Sequence, residues 1–343
     1  LPSIDDMAEW ILREGSKSHF RYRRSDGRLV RDARTLERIR LLAIPPAWTD
    51  VHIAASQRHA VQAWGCDARS RKQYRYHARA VEQGQLRKYY RVRELARELP
   101  ALRRRIRRDA GSHEPSRNAV AAAVVQLVSE SFFRIGSERY LEENRTFGIA
   151  TLLKRHVEIA EGRATFTYVG KRSIRQRQIV ANRSLARLVA RHLESPGARL
   201  FRYRDGRQWR DLTARDVNAY LRDRLGVPFS AKDFRTWGGT LRAATVLAEL
   251  GPARSEAEAK RNVATAMRLV AAELGNTPAI CRTSYVHPLV VARYVDDGET
   301  IRLPSRYHAT AGRYAHSPEE RALIRFLDRH FPERRRRVRT TDE

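Results

Sequence analysis

Six residues of types that can act on a phosphodiester lie in five short pieces of the chain. The pieces are Phe132-Phe133-Arg134-Ile135-Gly136, Tyr168-Val169-Gly170-Lys171-Arg172-Ser173, Lys232-Asp233-Phe234-Arg235-Thr236-Trp237-Gly238, Gly275-Asn276-Thr277-Pro278 and Thr283-Ser284-Tyr285-Val286-His287-Pro288. A tyrosine is a nucleophile once its phenolic proton, of ordinary pKa about 10, is drawn off. An arginine fork fits the non-bridging oxygens of a phosphate but cannot release a proton at ordinary pH. A lysine can, which suits it to protonate a leaving alkoxide. An asparagine amide donates hydrogen bonds without bringing charge. Taken singly, each residue also has an ordinary reading. Arg134 could bond the last carbonyls of an apolar helix, Lys171 could be a solvated turn residue, Arg235 a surface residue among helix formers, and Tyr285 a packed helix end.

The elements that must hold these residues are legible in the periodicities. Residues 1–88 read as a small, mostly β module. Within it His19-Phe20-Arg21-Tyr22-Arg23 followed by Ser25-Asp26-Gly27-Arg28 gives a hairpin signal, Pro45-Pro46-Ala47-Trp48 breaks the chain, and Val51-His52-Ile53 resumes as strand. In Arg69 to His77 basic and aromatic residues interleave, a pattern that lays cations on phosphates and rings on sugars or bases, or else makes a half-exposed strand with solvated arginines. From residue 89 the pattern is mainly helical. Arg91 to Arg108 is a basic helix with Leu95, Leu99, Leu102 and Ile106 at helical spacing, and Ala119 to Phe133 is apolar enough to be core. Ala164 to Val180 reads as a hairpin with its turn at Gly170-Lys171, and helices follow over Ser184–Leu193, Ala214–Leu225, Phe234–Leu250 and Ser255–Leu274. Gly275 ends the last of these, and Thr277-Pro278 starts another as N-cap and N1. Pro288 is expected to close that helix, with Tyr285 about two turns in, roughly 10 Å along the axis from Pro278. Arg334 to Arg337 opens a basic tail. The fold class expected is α+β: residues 1–88 as a β-rich domain, 89–331 as a larger, mainly helical domain, and 332–343 as the tail.

Composition narrows the partners. The 343 residues are 42% hydrophobic, enough for a sizeable core, and 68 Lys plus Arg stand against 39 Asp plus Glu, a net +29 spread along the chain. A polyanion is the natural partner, because each phosphate neutralised releases counterions. A membrane surface is the rival polyanion, but the chain lacks a basic amphipathic helix with a clean apolar face. No stretch approaches a span of roughly 20 apolar residues, and the N-terminus has no signal-peptide pattern, so a cytoplasmic protein is expected. The two cysteines, Cys66 and Cys281, have no companions at metal-ligand spacing and read as packed thiols; no metal or cofactor is expected. Only seven of the basic residues are lysines, so each one stands out.

The order Arg134, Lys171, Lys232-x-x-Arg235, Asn276, Tyr285, with its flanking residues, resembles the catalytic set of type IB DNA topoisomerases, closest to the compact poxvirus and bacterial branch. Pro45-Pro46-Ala47-Trp48 and Arg71 to His77 resemble that branch's first domain. The resemblance implies two domains closing around duplex DNA and a larger domain of the type IB topoisomerase and tyrosine recombinase kind. It also implies cleavage of one strand by Tyr285, rotation and religation, without ATP or required metal. By the same resemblance Arg134 and Arg235 are paired phosphate clamps, Lys171 the general acid, Lys232 an auxiliary cation and Asn276 a further donor where many relatives carry histidine. Arg71, Lys72, Tyr74, Arg75, Tyr76, His77 and Arg172 are then DNA contacts, and the protein a nucleoid-associated bacterial monomer. Two other readings stay open: a tyrosine recombinase, against which stand Lys232 where that family usually has histidine and the β-rich first domain, and a non-catalytic basic architectural protein, which explains the charge but not the ordered residues.

Overall fold

A computed structural model of the chain describes residues 9–16, 19–303, 312 and 314–331. The basic run Arg334 to Arg337 and the tail expected over 332–343 lie outside the described residues. The chain divides into two compact units between Lys88 and Tyr89.

The first unit holds an antiparallel sheet and a short helix. Strands β1 (Trp10–Ser16), β2 (His19–Arg23), β3 (Thr49–Ala54), β4 (Val61–Cys66) and β5 (Lys72–Tyr76) lie in the order β2-β1-β3-β4-β5, and α1 (Ala33–Leu41) follows β2 in the chain. Alternation along the strands sends Ile11, Val51, Ile53 and Ala63 into a core completed by Val30 and Ile39. The cross-strand row Arg23, Leu12, His52, Trp64, Tyr74 shares the other face. The hairpin expected at 19–28 needs correction. The Asp26-Gly27 turn does reverse the chain, but it returns only to an isolated bridge between Arg23 and Leu29, and the full partner of β2 is β1, upstream. A local turn signal cannot reveal a partner that precedes it.

The second unit is built on helices. Helix α2 (Ala78–Ala110) is longer than its periodic stretch predicts, because its first turns are solvent-exposed and carry no apolar stripe; Leu95, Leu99, Leu102 and Ile106 are buried as their spacing requires. Helix α3 (Arg117–Ser131) is buried on every side from Ala119 to Val128, the pattern of a central core helix. Then follow α4 (Glu138–Asn144), the antiparallel strands β6 (Val157–Ala160), β7 (Arg163–Val169) and β8 (Arg175–Val180), α5 (Arg183–Leu193), and the hairpin β9 (Arg202–Asp205) with β10 (Gln208–Asp211). Helix α6 (Ala214–Ala219) widens into a π-helical turn at Tyr220–Arg224. Helices α7 (Ala231–Leu250), α8 (Glu256–Leu274), α9 (Pro278–Ser284), α10 (Pro288–Asp297) and α11 (Pro318–His330) complete the unit. On β7 it is Ala164, Phe166 and Tyr168 that enter the core, while Val169 and, on β8, Ile179 stay exposed. Both cysteines are free; burial pushes the Cys281 thiol up to about 11. No helix among the described residues is long and apolar enough to cross a membrane.

One buried group makes the second unit sensitive to acid. His192 in α5 packs beside Phe201, with ring centroids 5.1 Å apart, and its Nε2 is buried without a hydrogen-bond partner among the described residues. Burial, aided by Arg191, pushes the imidazole down to about 4. The unfolded chain, with histidine near 6.5, therefore binds a proton that the folded chain refuses. Stability falls as pH drops from about 6.5 to about 4 and then levels off, by on the order of 3 kcal/mol from this group. Chemical denaturation across that window should show His192→Leu with a flatter acid limb than the parent. An unchanged slope would show that the ring is hydrated.

Candidate active site

Arg134 follows the end of α3. The helix stops at Phe132, which takes the left-handed conformation at φ 54°, unusual for a residue with a side chain. Two contacts hold it there. The Phe132 carbonyl accepts from Arg235 Nη1, and the Phe132 ring lies so close over Gly238 of α7 that a Cβ at 238 would overlap it. Beyond the cap, the Arg134 carbonyl accepts from Ile149 N at 2.8 Å, which fixes the backbone, and the side chain turns to the joint between α8 and α9. Its Nη2 donates to the Gly275 carbonyl at 2.6 Å and to Asn276 Oδ1 at 2.5 Å.

Helix α7 supplies Lys232 and Arg235 from its first turns. Its start is fixed by a capping box in which Asp233 Oδ2 accepts from Ser230 N and Ser230 Oγ, both at 2.8 Å, while Oδ1 accepts from Arg91 at 2.9 Å. Arg235 points inward and is only 4% exposed. Besides Phe132 it donates to the carbonyl of Leu274, the last residue of α8, at 2.9 Å. Its cation thus sits where helix-end carbonyls concentrate negative potential. Its Nε is buried and has no acceptor among the described residues.

The α8–α9 joint follows the caps read from sequence. Gly275 is left-handed at φ 60°, Thr277 Oγ1 accepts from Ile280 N at 3.4 Å, and Pro278 opens α9. Asn276 lies between the two helices. Because its Oδ1 accepts from Arg134, its Nδ2 must be the free end, and that atom is buried with no acceptor among the described residues. The expectation for Pro288 is overturned. Helix α9 ends at Ser284, Tyr285 is its C-cap, and Pro288 opens the next helix, α10, as its first residue. Proline marks either place: after a helix because it cannot continue one, and at the first position of a helix because the N–H it lacks would be unpaired there in any case.

The short Tyr285-Val286-His287 link is tied down by residues that no motif singled out. The Tyr285 and Val286 amides both donate to the Cys281 carbonyl, at 2.9 and 3.0 Å. Tyr89 donates from its hydroxyl to the Val286 carbonyl at 2.9 Å. Thr240 Oγ1, fully buried in α7, accepts from His287 N at 3.1 Å and lies 3.3 Å from the Tyr285 carbonyl. Gly239 makes the approach possible, because a Cβ there would meet the Tyr285 carbonyl at 3.0 Å and its Cβ at 3.3 Å. The Gly238-Gly239 pair inside a helical run was the visible signal, since glycine in a helix interior costs about 1 kcal/mol against alanine and asks for a packing reason.

These elements enclose a cavity of about 520 Å³ lined by Arg134, Lys171, Lys232, Asn276 and Tyr285, with Arg235 set behind the Tyr285 ring, its guanidinium carbon 5.1 Å from the ring centroid. Lys171 enters from a 3-10 turn between β7 and β8, and Arg172, Arg175 and Arg177 line the same space. No carboxylate among the described residues lines it. Burial alone would raise the Tyr285 phenol, but the Arg235 charge, with Arg134 and Lys232 beyond it, more than reverses this and the net direction is downward. Arg235 is itself lowered by burial, against which the tyrosine acts. No group of three or more His, Cys, Asp or Glu among the described residues could hold a metal ion.

The remaining sequence-based candidates lie in the first unit. On β5, Lys72, Tyr74 and Tyr76 share the open face, with the two tyrosine rings stacked at 5.8 Å and the Lys72 ammonium 3.6 Å over Trp64. Arg75 faces the other way, donating to the Ala43 carbonyl at 2.7 Å; Arg71 pairs with Asp67 at 2.7 Å; His77 accepts from Arg79 N at the start of α2.

Residues 72–302 match the family model described as eukaryotic DNA topoisomerase I, catalytic core, and residues 19–67 match that of the bacterial DNA topoisomerase IB N-terminal domain. The chain is 31% identical over 301 residues to DNA topoisomerase 1B of Acanthamoeba polyphaga mimivirus, covering 85% of this chain and 90% of that protein. It is 24% identical over 242 residues to DNA topoisomerase 1B of Vaccinia virus, covering 68% and 72%.

The opposed effects on Tyr285 can be separated. With Arg235→Gln, burial is left without its main counter-charge, so the phenol should titrate above that of the parent. Titration of ring-labelled tyrosine by carbon NMR checks this, and a Tyr285 that titrates unchanged would mean that the Arg235 charge is not felt at the oxygen.

Proposed function

The chain belongs to the type IB DNA topoisomerases, isomerases that act on DNA topology, and on that premise we propose that Tyr285 is its strand-cleaving nucleophile. Membership sets aside the recombinase and architectural-protein readings. The observation that carries the assignment is the convergence of Arg134, Lys171, Lys232, Asn276 and Tyr285 on one cavity, with no carboxylate among the described residues that line it, in front of a buried arginine that lowers the phenol.

Attack by the Tyr285 oxygen on a backbone phosphorus, its phenolic proton passing to water, forms a 3′-phosphotyrosine and expels the 5′ oxygen. Negative charge grows on the non-bridging oxygens, and preorganised donors meet it at no reorganisation cost. Arg134 brings the edge of its fork not used at the helix joint and Asn276 its unpaired Nδ2, while Arg235, behind the Tyr285 ring, adds its charge. A buried donor left unpaired costs roughly 1–3 kcal/mol, which a phosphoryl oxygen would recover. Lys171 gives its proton to the departing 5′ oxygen and, on religation, takes it back. Lys232 adds positive charge beside the phosphate. The phosphotyrosine conserves the energy of the broken bond while the free strand rotates, so the cycle closes without ATP. Arg172 contacts the DNA backbone next to Lys171, and in the first unit the open face of β5 offers Lys72 to phosphate and Tyr74 and Tyr76 to sugars or bases. Arg71, Arg75 and His77 act from behind that face, through the partners they hold in the unit. The working form is a monomer on the nucleoid.

Tyr285→Phe should abolish plasmid relaxation and the covalent DNA adduct while leaving duplex affinity nearly unchanged; an adduct that persists identifies another nucleophile. Lys171→Ala should slow cleavage and religation together, and a substrate with sulfur at the 5′ bridging position should largely restore cleavage, because a thiolate leaves without a proton. Equal sulfur rescue of Lys171→Ala and Arg235→Ala would make the lysine one more electrostatic clamp.

A further inference from the structure

Lys171 and Asn276 reach the cavity from different elements, one from the β7–β8 turn and the other from the α8–α9 joint. One side chain touches the backbone of both. Gln176 of β8, paired across the hairpin with Tyr168, is half-buried in the cavity wall. A Cβ on Gly170 would meet Gln176 Cγ at 2.7 Å, and a Cβ on Gly275 would overlap Gln176 Oε1. These two glycines immediately precede Lys171 and Asn276 in the chain. The glutamine is therefore packed between two stretches of bare backbone, each of which leads directly into a residue of the site.

The turn needs such support. Arg172 and Ser173 both hold left-handed backbone, at φ 64° and 59°, a conformation that side chains disfavour and that persists only when the surroundings impose it. The turn's own closure is the hydrogen bond from Gly170 N to the Ile174 carbonyl at 2.8 Å. Gln178, two residues further along β8, is engaged elsewhere, accepting from the Tyr168 hydroxyl at 2.8 Å and donating to the Ser131 carbonyl. No hydrogen bond ties the Gln176 amide to another described residue, so its hold on the two glycines is one of shape.

We propose that Gln176 is a positioning residue for strand cleavage and religation, a spacer that sets the Lys171 turn at a fixed distance from the Asn276 joint. The inference rests on Lys171 being the general acid. Proton transfer to the leaving oxygen depends on placement, and a displacement of about 1 Å can cost roughly a hundredfold in rate. With the side chain removed, a gap opens between the two backbones and the lysine loses its register with the phosphate held at Asn276. The residue itself needs no contact with the reacting atoms.

Single-turnover cleavage and religation, measured with the full chain on a duplex substrate, test this. Gln176→Ala should slow both steps by about ten- to a hundredfold with DNA affinity unchanged. Gln176→Met, of similar length and without the amide, should keep most of the parent rate because it keeps the spacer. The 5′ bridging sulfur substrate should restore cleavage by Gln176→Ala as it does for Lys171→Ala, and adding Gln176→Ala to Lys171→Ala should slow the reaction little further. A loss by purely general destabilisation would not respond to the sulfur substitution. The proposal is overturned if Gln176→Met is as slow as Gln176→Ala, which would make the amide a direct DNA contact, or if the two losses multiply in the double variant. A Lys171→Ala that slows cleavage beside a Gln176→Ala that does not sinks the spacer alone. A Lys171→Ala that leaves cleavage unchanged sinks the general-acid reading, and the spacer with it.

Discussion

The buried guanidinium of Arg235 is the contact on which the rest of the second unit's site depends. Burying a cation is costly unless its donors are filled, and here the filling groups are carbonyls at the ends of two helices, Phe132 after α3 and Leu274 of α8. Each is one of the orphan acceptors that a helix end must satisfy in any case. One side chain on α7 therefore answers three requirements together: it caps α3, caps α8 and makes its own burial tolerable. The consequences reach the residues around it. Capping α3 at Phe132 sets where Arg134 leaves the helix, and capping α8 at Leu274 sets where Gly275 turns the chain toward Asn276 and Tyr285. What remains of the cation's field falls on the Tyr285 ring 5.1 Å away.

The charge distribution is one-sided by construction. Two buried acidic side chains around α7 are committed to structure: Asp233 closes the α7 capping box and pairs with Arg91, and Glu320 accepts from Arg103, from Trp237 of α7 and from the Ser317 amide at the start of α11. Neither lines the cavity, nor does any other carboxylate among the described residues, so its cations repel one another until a phosphate arrives. That arrangement stores unfavourable energy in the empty site and releases it on binding, which favours a phosphodiester over a neutral ligand of the same size. It also explains how a tyrosine can be buried and yet have its phenol lowered, since the positive groups around it outweigh the loss of water.

What could be read from sequence divides along the range of the interactions. The α8–α9 joint was legible because its determinants are adjacent: a glycine that can be left-handed, a threonine that caps, a proline that fits the first turn. The core stripe of α2 and the turn at Gly170-Lys171 were legible for the same reason. Pro288 misled because one residue type marks the ends and the beginnings of helices alike, and the β2 pairing misled because strand partners are chosen across the sheet. The links that hold Tyr285 in place, from Thr240 and Tyr89, join residues 45 and 197 positions apart in the chain, and no pattern near either end announces them. Only the Gly238-Gly239 pair left a local trace, as an unfavourable choice that a helix makes when another backbone must come close.

Asparagine at position 276 follows from the neighbour it has been given. Arg134 donates to its side-chain oxygen, so whatever occupies 276 must present an acceptor to a guanidinium and a donor to the phosphate at once. An amide does both in a single planar group, and the arginine decides which end faces which way. A neutral imidazole could do the same with its two nitrogens, one protonated and one bare, but an imidazolium could not, because both nitrogens would be donors and its charge would face another cation. The contact with Arg134 thus selects for a neutral group at 276. Asparagine meets that requirement at every pH, whereas histidine would meet it only above its own pKa. The positive charge needed by the transition state is then left to the arginines and lysines of the site.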